Sequence, residues 1–198
     1  MRIDLTGQTI LVTGASRGIG AEIARQLHGA GAHVALHYGR SEDEARALAD
    51  ELGDGRVTLF RADLADATEA DSLFEAVVGD TGGRIINIAS RAAFRGDTKD
   101  YLAYAASKGG MVSLTRSIAR AWGKQGIVAF TIAPGWVMTD MAKQFIAQNG
   151  DEVVLNELAL AELTQPKDVA PTVVFLASGL SDHATGCTID INAGSYVH

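Results

Sequence analysis

Cysteine is almost absent from this sequence, since Cys187 is the single one among 198 residues. It cannot form an internal disulfide and belongs to no cluster of metal-ligating residues, which suits a reducing compartment. The five histidines are scattered, and the closest pair, His33 and His37, falls in a segment predicted as a strand, which argues against a zinc pair. We therefore expect a cytoplasmic protein that holds no metal ion.

Long apolar runs and excess positive charge are missing as well. The most apolar later stretch, residues 127–138, contains Pro134 and is well short of the roughly 18 residues that a membrane span needs. The N-terminal residues lack the apolar core of an export signal. With 17 Lys and Arg against 24 Asp and Glu, the formal net charge is −7. This charge repels phosphate backbones and anionic lipids, so we expect no nucleic-acid or membrane partner, and any anion site must be local.

The chain has ample material for one folded core. Its residues are 47% hydrophobic and 21% charged, its mean hydropathy is +0.10, and its length is that of one ordinary domain. We find no internal repeat, low-complexity tract or linker. We therefore expect a single domain over residues 1–198.

Short β-branched runs alternate with amphipathic helical stretches, which predicts an α/β protein with a parallel sheet flanked by helices. The predicted strands cover residues 9–12, 33–37, 57–61, 84–89, 127–132 and 188–191. The predicted helices cover residues 18–30, 41–52 with Ser41 as the N-cap, 68–78, 101–122 and 166–177, with shorter helical pieces between 139 and 163.

A glycine-rich turn, Thr13 to Gly20, joins the first predicted strand to the first predicted helix with the spacing T-G-x-x-x-G-x-G. Gly14 and Gly18 lack a Cβ and let the backbone turn tightly, while the free N–H groups of a helix start favour a pyrophosphate. The alternative is a glycine-rich connection that binds nothing. Because the flanking strand and helix are those that the binding mechanism requires, we predict a dinucleotide site in a Rossmann-type, doubly wound parallel sheet with helices on both faces.

The end of the second predicted strand indicates which dinucleotide binds. Proteins of this fold that prefer NAD present a carboxylate to the ribose there, but residues 37–41 read His-Tyr-Gly-Arg-Ser. Arg17 and Arg40 could pair with a 2′-phosphate, which favours NADP(H) and leaves NAD(H) possible; both arginines could also simply be exposed. Asp63, followed by Leu64, could accept a hydrogen bond from the adenine amino group or could cap the next helix.

Tyr104 and Lys108 share one face of the long predicted helix by their i, i+4 spacing. A nearby ammonium favours the ionised form of a phenol, so Tyr104 could exchange a proton with an alcohol or ketone near neutral pH. Ser90 follows a predicted strand at the carboxyl edge where such sheets bind ligands, and its hydroxyl could hold a carbonyl oxygen. Alone, a Tyr–Lys pair is an ordinary surface pair. Together with the glycine turn and the serine, it indicates a catalytic group.

These motifs resemble the short-chain dehydrogenase/reductase family, specifically its single-domain members that reduce 3-oxoacyl thioesters, sugar ketones and steroids. The resemblance covers most of the chain and also includes residues 84–90 (R-I-I-N-I-A-S), residues 134–139 (P-G-W-V-M-T) and a closing segment at 186–194. It implies that Ser90 polarises the carbonyl and that Tyr104 is the general acid in reduction. It also implies that Lys108 binds the nicotinamide ribose and promotes ionisation of the tyrosine. The implied cofactor contacts are Gly14, Ser16, Arg17, Gly18, Ile19, Gly20, Arg40, Ser41, Asp63, Leu64, Tyr104, Lys108, Pro134, Gly135, the Val137 backbone and the Thr139 hydroxyl.

The sequence departs from the family between Asp63 and Ser90. The family has a further strand, an Asn-Asn-Ala-Gly turn and a long helix with a catalytic Asn there, so about 50 residues, or one and a half βαβ units, are absent. The apparent join is near residues 79–84, and the absent strand would lie beside the first one. Either the natural polypeptide contains this segment, or the gene product is a shortened and inactive relative. We favour the first explanation because the flanking residues are intact; an intact mass of 20.8 kDa would refute it.

The resemblance implies an NADP(H)-dependent carbonyl reductase or alcohol dehydrogenase, similar to 3-oxoacyl reductases, with a ketone, secondary alcohol or acyl thioester as substrate. The alternative is a nucleotide-binding relative without activity. The segment from Met138 to Leu163 should determine which substrate binds, because its apolar residues could form a lid over the nicotinamide; they could also simply pack on the core. Family members commonly form tetramers, so we expect a homo-oligomer, either a tetramer or a dimer. A basic patch for an acyl carrier protein is not established by the sequence.

Overall fold

A computed structural model describes residues 2–53, 55–77 and 83–197. The chain divides into two units, the first formed by Met1–Thr81 with Ala170–Ser178 and the second by Gly82–Val169 with Gly179–His198. This division does not test the prediction of a single domain, which stays a prediction. Among the described helices, none combines the length and the apolar character that crossing a membrane requires.

The first unit contains a three-stranded parallel sheet in the order β1-β2-β3. The middle strand is the most buried because it pairs on both edges, and Val34, Ala35 and Leu36 are all within 1% of complete burial. The elements of this unit are β1 (Thr9–Val12), α1 (Gly18–Gly29), β2 (His33–Tyr38), α2 (Glu42–Leu52), β3 (Val57–Arg61) and α3 (Ala67–Val77).

Helices α1 and α2 follow from local patterns in the sequence. Helix α1 buries Ala21, Ala24 and Leu27, whose spacing of three residues places them on one face. Helix α2 begins after Ser41 with three acidic residues in its first turn, where the helix dipole favours negative charge. Ser41 occupies the predicted N-cap position, although its side chain makes no capping hydrogen bond.

The second unit contains a separate three-stranded parallel sheet in the order β4-β5-β6. Its middle strand forms the core, since Ala129, Phe130, Ile132 and Ala133 are completely buried. The remaining elements are β4 (Arg84–Ile88), α4 (Ala92–Arg95), α5 (Leu102–Trp122), β5 (Val128–Pro134), α6 (Asp140–Asn149), α7 (Glu152–Leu155), α8 (Pro166–Ala177, whose residues from 170 onward belong to the first unit) and β6 (Thr188–Ile191), with single 3-10 turns at Lys99–Tyr101, Gly123–Gln125 and Asp182–Ala184.

The predicted α/β class with parallel strands is confirmed, and element boundaries agree within two residues. One difference concerns β5, which was predicted to end at residue 132 but continues through Pro134. A proline at a strand end removes only one donor from the ladder, and the next N–H, that of Gly135, donates to the Ile191 carbonyl at 3.0 Å. The ladder with β6 therefore continues past the proline.

Strands β1 and β4 each pair along one edge only among the described residues. Their apolar side chains are only partly covered, for Ile10 and Leu11 of β1 and Ile85, Ile86 and Ile88 of β4 are all of intermediate burial. The expectation that the first strand lacks a neighbour on one side therefore holds within the described part of the chain. The apparent join was placed near residues 79–84, of which 79–82 lie outside the described residues.

Candidate functional site

The glycine turn has the steric form that close approach to a ligand needs. After β1 the chain turns at Gly14 with φ of 63° and enters α1 at Gly18 with φ of 58°, a left-handed conformation that glycine adopts at no steric cost. Gly20 has a different constraint, because a Cβ there would lie 2.4 Å from the Gly14 carbonyl oxygen. The three glycines therefore let the chain turn tightly at the start of α1, and their role in holding a phosphate stays a prediction.

The N-terminus of α1 suits an anion. The first turn of the helix has no acidic residue, and a helix N-terminus carries a partial positive charge with free N–H groups. Arg17 precedes the helix in an extended conformation, with φ of −156°, and is exposed, while Ser16 and Ile19 are partly buried. The arrangement fits the phosphates of a dinucleotide.

His37 fastens the glycine turn to the end of β3. The Gly14 N–H donates to His37 Nδ1 at 3.0 Å, so Nδ1 must be unprotonated and Nε2 carries the hydrogen, which it donates to the Ala62 carbonyl at 3.0 Å. The ring is 3% exposed. In addition, the Ala15 N–H donates to the His37 carbonyl at 2.9 Å. Sequence reasoning considered His37 only as a zinc ligand and missed this role, since its partners are far apart in the chain.

Replacing His37 with leucine should therefore destabilise the first unit. The change leaves the buried Ala62 carbonyl and the part-buried Gly14 N–H without this partner, and an unpaired buried group costs about 1–3 kcal/mol. We expect the free energy of unfolding in urea to fall by about 2 kcal/mol or more. The control is His33→Leu on the same strand, where the lost hydrogen bond, to Thr58, is exposed. Equal losses in the two variants would contradict the role assigned to His37.

The remaining predicted contacts of the first unit follow β2 and β3. Arg40 lies two residues after the end of β2 and is exposed. The Asp63 carboxylate accepts a hydrogen bond from the Ala65 N–H at 3.0 Å and so holds a local turn. It does not cap α3, because Asp66 accepts from the N–H groups of Thr68 and Glu69 instead. Leu64 is 48% exposed.

In the second unit, Lys108 contacts both Tyr104 and the end of the strand that precedes Ser90. The Lys108 ammonium donates to the Ile88 carbonyl at 2.9 Å and lies 5.7 Å from the centre of the Tyr104 ring. Ser90 is 9% exposed, and its hydroxyl oxygen accepts from the Ala92 N–H at 3.2 Å. The Tyr104 side chain is accessible, at 39% exposure. The structure therefore brings Lys108 together with Tyr104 and with the backbone next to Ser90.

Burial lowers the pKa of the Lys108 ammonium below its ordinary value of 10.5. Between the lowered value and 10.5, the unfolded chain binds more protons at this site than the folded chain, so the contribution of Lys108 to stability rises with pH. We expect the free energy of unfolding of the wild type, relative to Lys108→Met, to increase as the pH is raised from neutrality towards 10.5. Urea unfolding at a series of pH values measures this difference. The exposed Lys143 supplies the control variant Lys143→Met, and a flat difference for Lys108→Met would contradict the prediction.

Residues 134–139 lie beside Ser90 at the carboxyl ends of β4 and β5. The Arg91 N–H donates to the Pro134 carbonyl at 2.9 Å. Gly135 packs so closely on β6 that a Cβ would lie 2.8 Å from Asn192. Val137 is buried and forms a bridge with Thr164, and Thr139 occupies the N-cap position of α6. This segment is therefore held in a fixed conformation next to the candidate catalytic serine.

Two family models match consecutive parts of the chain. Residues 8–82 match the model described as short chain dehydrogenase, and residues 78–196 match the model described as enoyl-(acyl carrier protein) reductase. The chain belongs to the short-chain dehydrogenase/reductase family. It is therefore an oxidoreductase of a family that acts on CH–OH groups with a nicotinamide cofactor.

The relatives of this short-chain dehydrogenase/reductase include 3-oxoacyl-[acyl-carrier-protein] reductases. Those of Staphylococcus aureus and Rickettsia conorii are 30% identical over 244 residues and 31% over 240, covering 96% and 97% of this chain and 98% of each relative. A crystal structure of a 3-oxoacyl (acyl-carrier-protein) reductase from Agrobacterium tumefaciens with NADP bound is 27% identical, with a TM-score of 0.85, and covers 96% of this chain and 95% of that one.

Both sequence alignments are longer than the 198 residues of this chain. The relatives therefore contain residues that have no counterpart here, in agreement with the segment expected to be absent between Asp63 and Ser90. The comparisons give no support to the alternative of an inactive relative.

Proposed function

We propose that this protein is an NADP(H)-dependent carbonyl reductase that transfers hydride between the nicotinamide and a ketone or secondary alcohol, with 3-oxoacyl thioesters as the favoured substrates. The observation that carries the proposal is the position of Lys108, with its ammonium 5.7 Å from the Tyr104 ring and bonded to the carbonyl two residues before Ser90. An ammonium so placed stabilises the phenolate that proton transfer produces.

In the proposed reaction, the side chains of the second unit handle the carbonyl oxygen. The Ser90 hydroxyl donates a hydrogen bond to that oxygen and polarises the carbonyl. Tyr104 gives the oxygen its phenolic proton during reduction and takes it back during oxidation. Lys108 holds the charge of the phenolate in between. The bound nicotinamide supplies or accepts the hydride.

The residues present fit this cofactor. The acid-free N-terminus of α1 and the tight turn through Gly14 and Gly18 that leads into it suit the pyrophosphate. In the second unit, the Val137 backbone and the Thr139 hydroxyl would hold the carboxamide end, and Lys108 would bind the ribose. Asp63 and Leu64 would contact the adenine. The remaining proposed contacts are Gly14, Ser16, Gly18, Ile19, Ser41, Pro134 and Gly135.

The preference for NADP(H) rests on Arg17 and Arg40. Both are exposed, and neither has an ion pair among the described residues. Removing a hydrogen bond to a charged group costs about 1.5–3 kcal/mol, so Arg17→Ala and Arg40→Ala should each raise KM for NADPH about tenfold or more and leave KM for NADH unchanged. The control is Arg46→Ala, an arginine that pairs with Glu42 on α2. Equal effects on the two cofactors would show that these arginines do not read the 2′-phosphate.

The test of the proposed function is a kinetic one. Purified protein is mixed with NADPH and a panel of 3-oxo esters, 3-oxoacyl thioesters and diketones, and loss of NADPH absorbance is recorded. Turnover of the 3-oxo substrates is the expected result. Binding of the cofactor without turnover of any ketone would overturn the proposal in favour of the inactive alternative.

We also propose that the protein is a homo-tetramer or homo-dimer and that it is cytoplasmic. Residues 138–163 are proposed to cover the substrate. In support of such a cover, Met141 and Val153 are 69% and 51% exposed and so present apolar side chains. Val154, in contrast, is completely buried and packs in the core. Light scattering of the purified protein tests the oligomeric state.

A further inference from the structure

The carboxylate of Glu157 joins three segments of the second unit. Glu157 follows α7, and its carboxylate forms ion pairs with Arg91 and, at 3.5 Å, with Arg95. The same carboxylate accepts a hydrogen bond from the Trp136 indole N–H at 3.0 Å. Arg91 is the chain neighbour of Ser90, and Trp136 lies in the segment 134–139. One side chain therefore contacts residues next to the candidate catalytic serine and residues of the candidate nicotinamide segment.

The charge of the buried Arg91 guanidinium is compensated by the Glu157 carboxylate. Its side chain is 5% exposed, Nη1 has no hydrogen-bond partner, and Glu157 is its one acidic partner among the described residues. Burial raises the pKa of Glu157. The hydrogen bond and charge of Arg91, the Trp136 N–H and the charge of Arg95 lower it by more than burial raises it, so the pKa of Glu157 lies below its ordinary value. Glu157 is thus an anion at neutral pH, and its removal leaves a buried cation uncompensated.

Aromatic contacts extend the cluster to α6. The Arg91 guanidinium lies 6.0 Å from the centre of the Trp136 ring, and the Trp136 ring lies 4.8 Å from that of Phe145. On its other side, the chain after Glu157 is held through the Ala159 N–H, which donates to the Ala193 carbonyl at 2.8 Å. The segment that begins at Glu157 is thus tied by its backbone to the chain just after β6 and by one carboxylate to the Ser90 side of the sheet.

We propose that Glu157 is a positioning residue for the carbonyl reductase reaction: it fastens residues 157–163 to Arg91 and Trp136 and so fixes the segments that carry Ser90 and the nicotinamide contacts. This inference rests on the proposed function. Glu157 does not touch the reacting atoms and acts through its two partners. Small displacements of reacting groups have large effects on rate, so loosening this cluster should lower kcat more than it changes KM.

The principal test is Glu157→Gln, which keeps the size of the side chain and removes its charge. We expect kcat for a 3-oxo substrate to fall about tenfold, with KM changed less than threefold. The control is Glu75→Gln, an exposed glutamate of α3 with no assigned role, which should keep wild-type kcat. Equal kcat values in wild type and Glu157→Gln would overturn the inference.

A double variant separates positioning from simple charge compensation. Replacing both members of an ion pair that includes a buried charge is often neutral for stability, whereas leaving that charge unpaired is not. Arg91 is the buried member here, so Arg91→Met combined with Glu157→Gln should unfold at the same urea concentration as the wild type. We expect its kcat to stay about tenfold lowered, because the bond between positions 91 and 157 is not restored and residues 157–163 remain unfastened on that side. Recovery of wild-type kcat in the double variant would show that Glu157 only neutralises Arg91, and the inference would be wrong.

A fluorescence measurement tests the cluster without any turnover. The chain has two tryptophans, so Trp122→Phe makes Trp136 the single reporter. In that background, Glu157→Gln should shift the Trp136 emission to longer wavelength and Glu75→Gln should not. If Glu157→Gln shifts the emission but the protein reduces no ketone, Glu157 holds the cluster together and the proposed function is wrong. An unchanged emission in an active enzyme would reject the fastening and retain the function.

Discussion

Tyr104→Phe should lower kcat for ketone reduction by about a thousandfold, which lies within the range of general acid–base catalysis. The phenylalanine ring keeps the packing of the side chain but has no proton to give to the carbonyl oxygen. The Lys108 ammonium lies over this ring, and in the variant it has no phenolate to stabilise. Because the change removes one hydroxyl from a side chain that is 39% exposed, the fold should be unaffected. Steady-state kinetics with NADPH and a 3-oxo ester measure the loss.

The affinity for NADPH distinguishes this outcome from a general loss of structure. We expect the dissociation constant of NADPH, measured by fluorescence titration, to stay within about twofold of the wild type, since the lost hydroxyl acts on the substrate oxygen. Tyr101→Phe is the matched control, because Tyr101 is also exposed, at 44%, and has no assigned role. A Tyr104→Phe variant with wild-type kcat would remove Tyr104 from the reaction and leave the present mechanism without its acid.

The elements of the fold were predictable because their signals are local. Helix α8 has the predicted bounds, since Pro166 at the first helical position and a run of small and apolar residues mark it without reference to the rest of the chain. The bounds of β3 and β6 were also predicted without error. The extension of β5 through Pro134 was not, because it depends on the pairing of the Gly135 N–H with Ile191, a residue of the last strand.

The candidate site was predictable to the extent that its motifs are short. Tyr104 and Lys108 lie one helical turn apart, so their proximity follows from the helix alone, and Gly14 and Gly18 are separated by a single tight turn. His37 and Glu157 were missed for the opposite reason. The partners of His37 are 23 and 25 residues away, and Glu157 meets Arg91 across 66 residues. Neither a buried histidine in a strand nor a glutamate after a short helix carries a sequence signal of such contacts.

Gly20→Ala should weaken the binding of NADPH by about tenfold to a hundredfold, since a lost hydrogen bond to a charged phosphate costs about 1.5–3 kcal/mol. A Cβ at this position would lie 2.4 Å from the Gly14 oxygen and 3.1 Å from the Ala15 Cα. Both are backbone atoms, so no side-chain rotation can relieve the contact, and the turn itself must move. Forced overpacking of this kind also costs about 1–3 kcal/mol of stability.

Gly29→Ala in the same helix shows whether the effect of Gly20→Ala comes from this contact. A Cβ on Gly29 would meet nothing within 4 Å, and alanine is favoured over glycine in a helix by up to about 1 kcal/mol, so the control should be as stable as the wild type or slightly more stable. NADPH titration and urea unfolding of both variants give the comparison. If Gly20→Ala bound NADPH as the wild type does, the α1 end of the turn would not be the phosphate cradle. If Gly29→Ala weakened binding equally, the loss would reflect helix α1 in general and not the approach of Gly20 to Gly14.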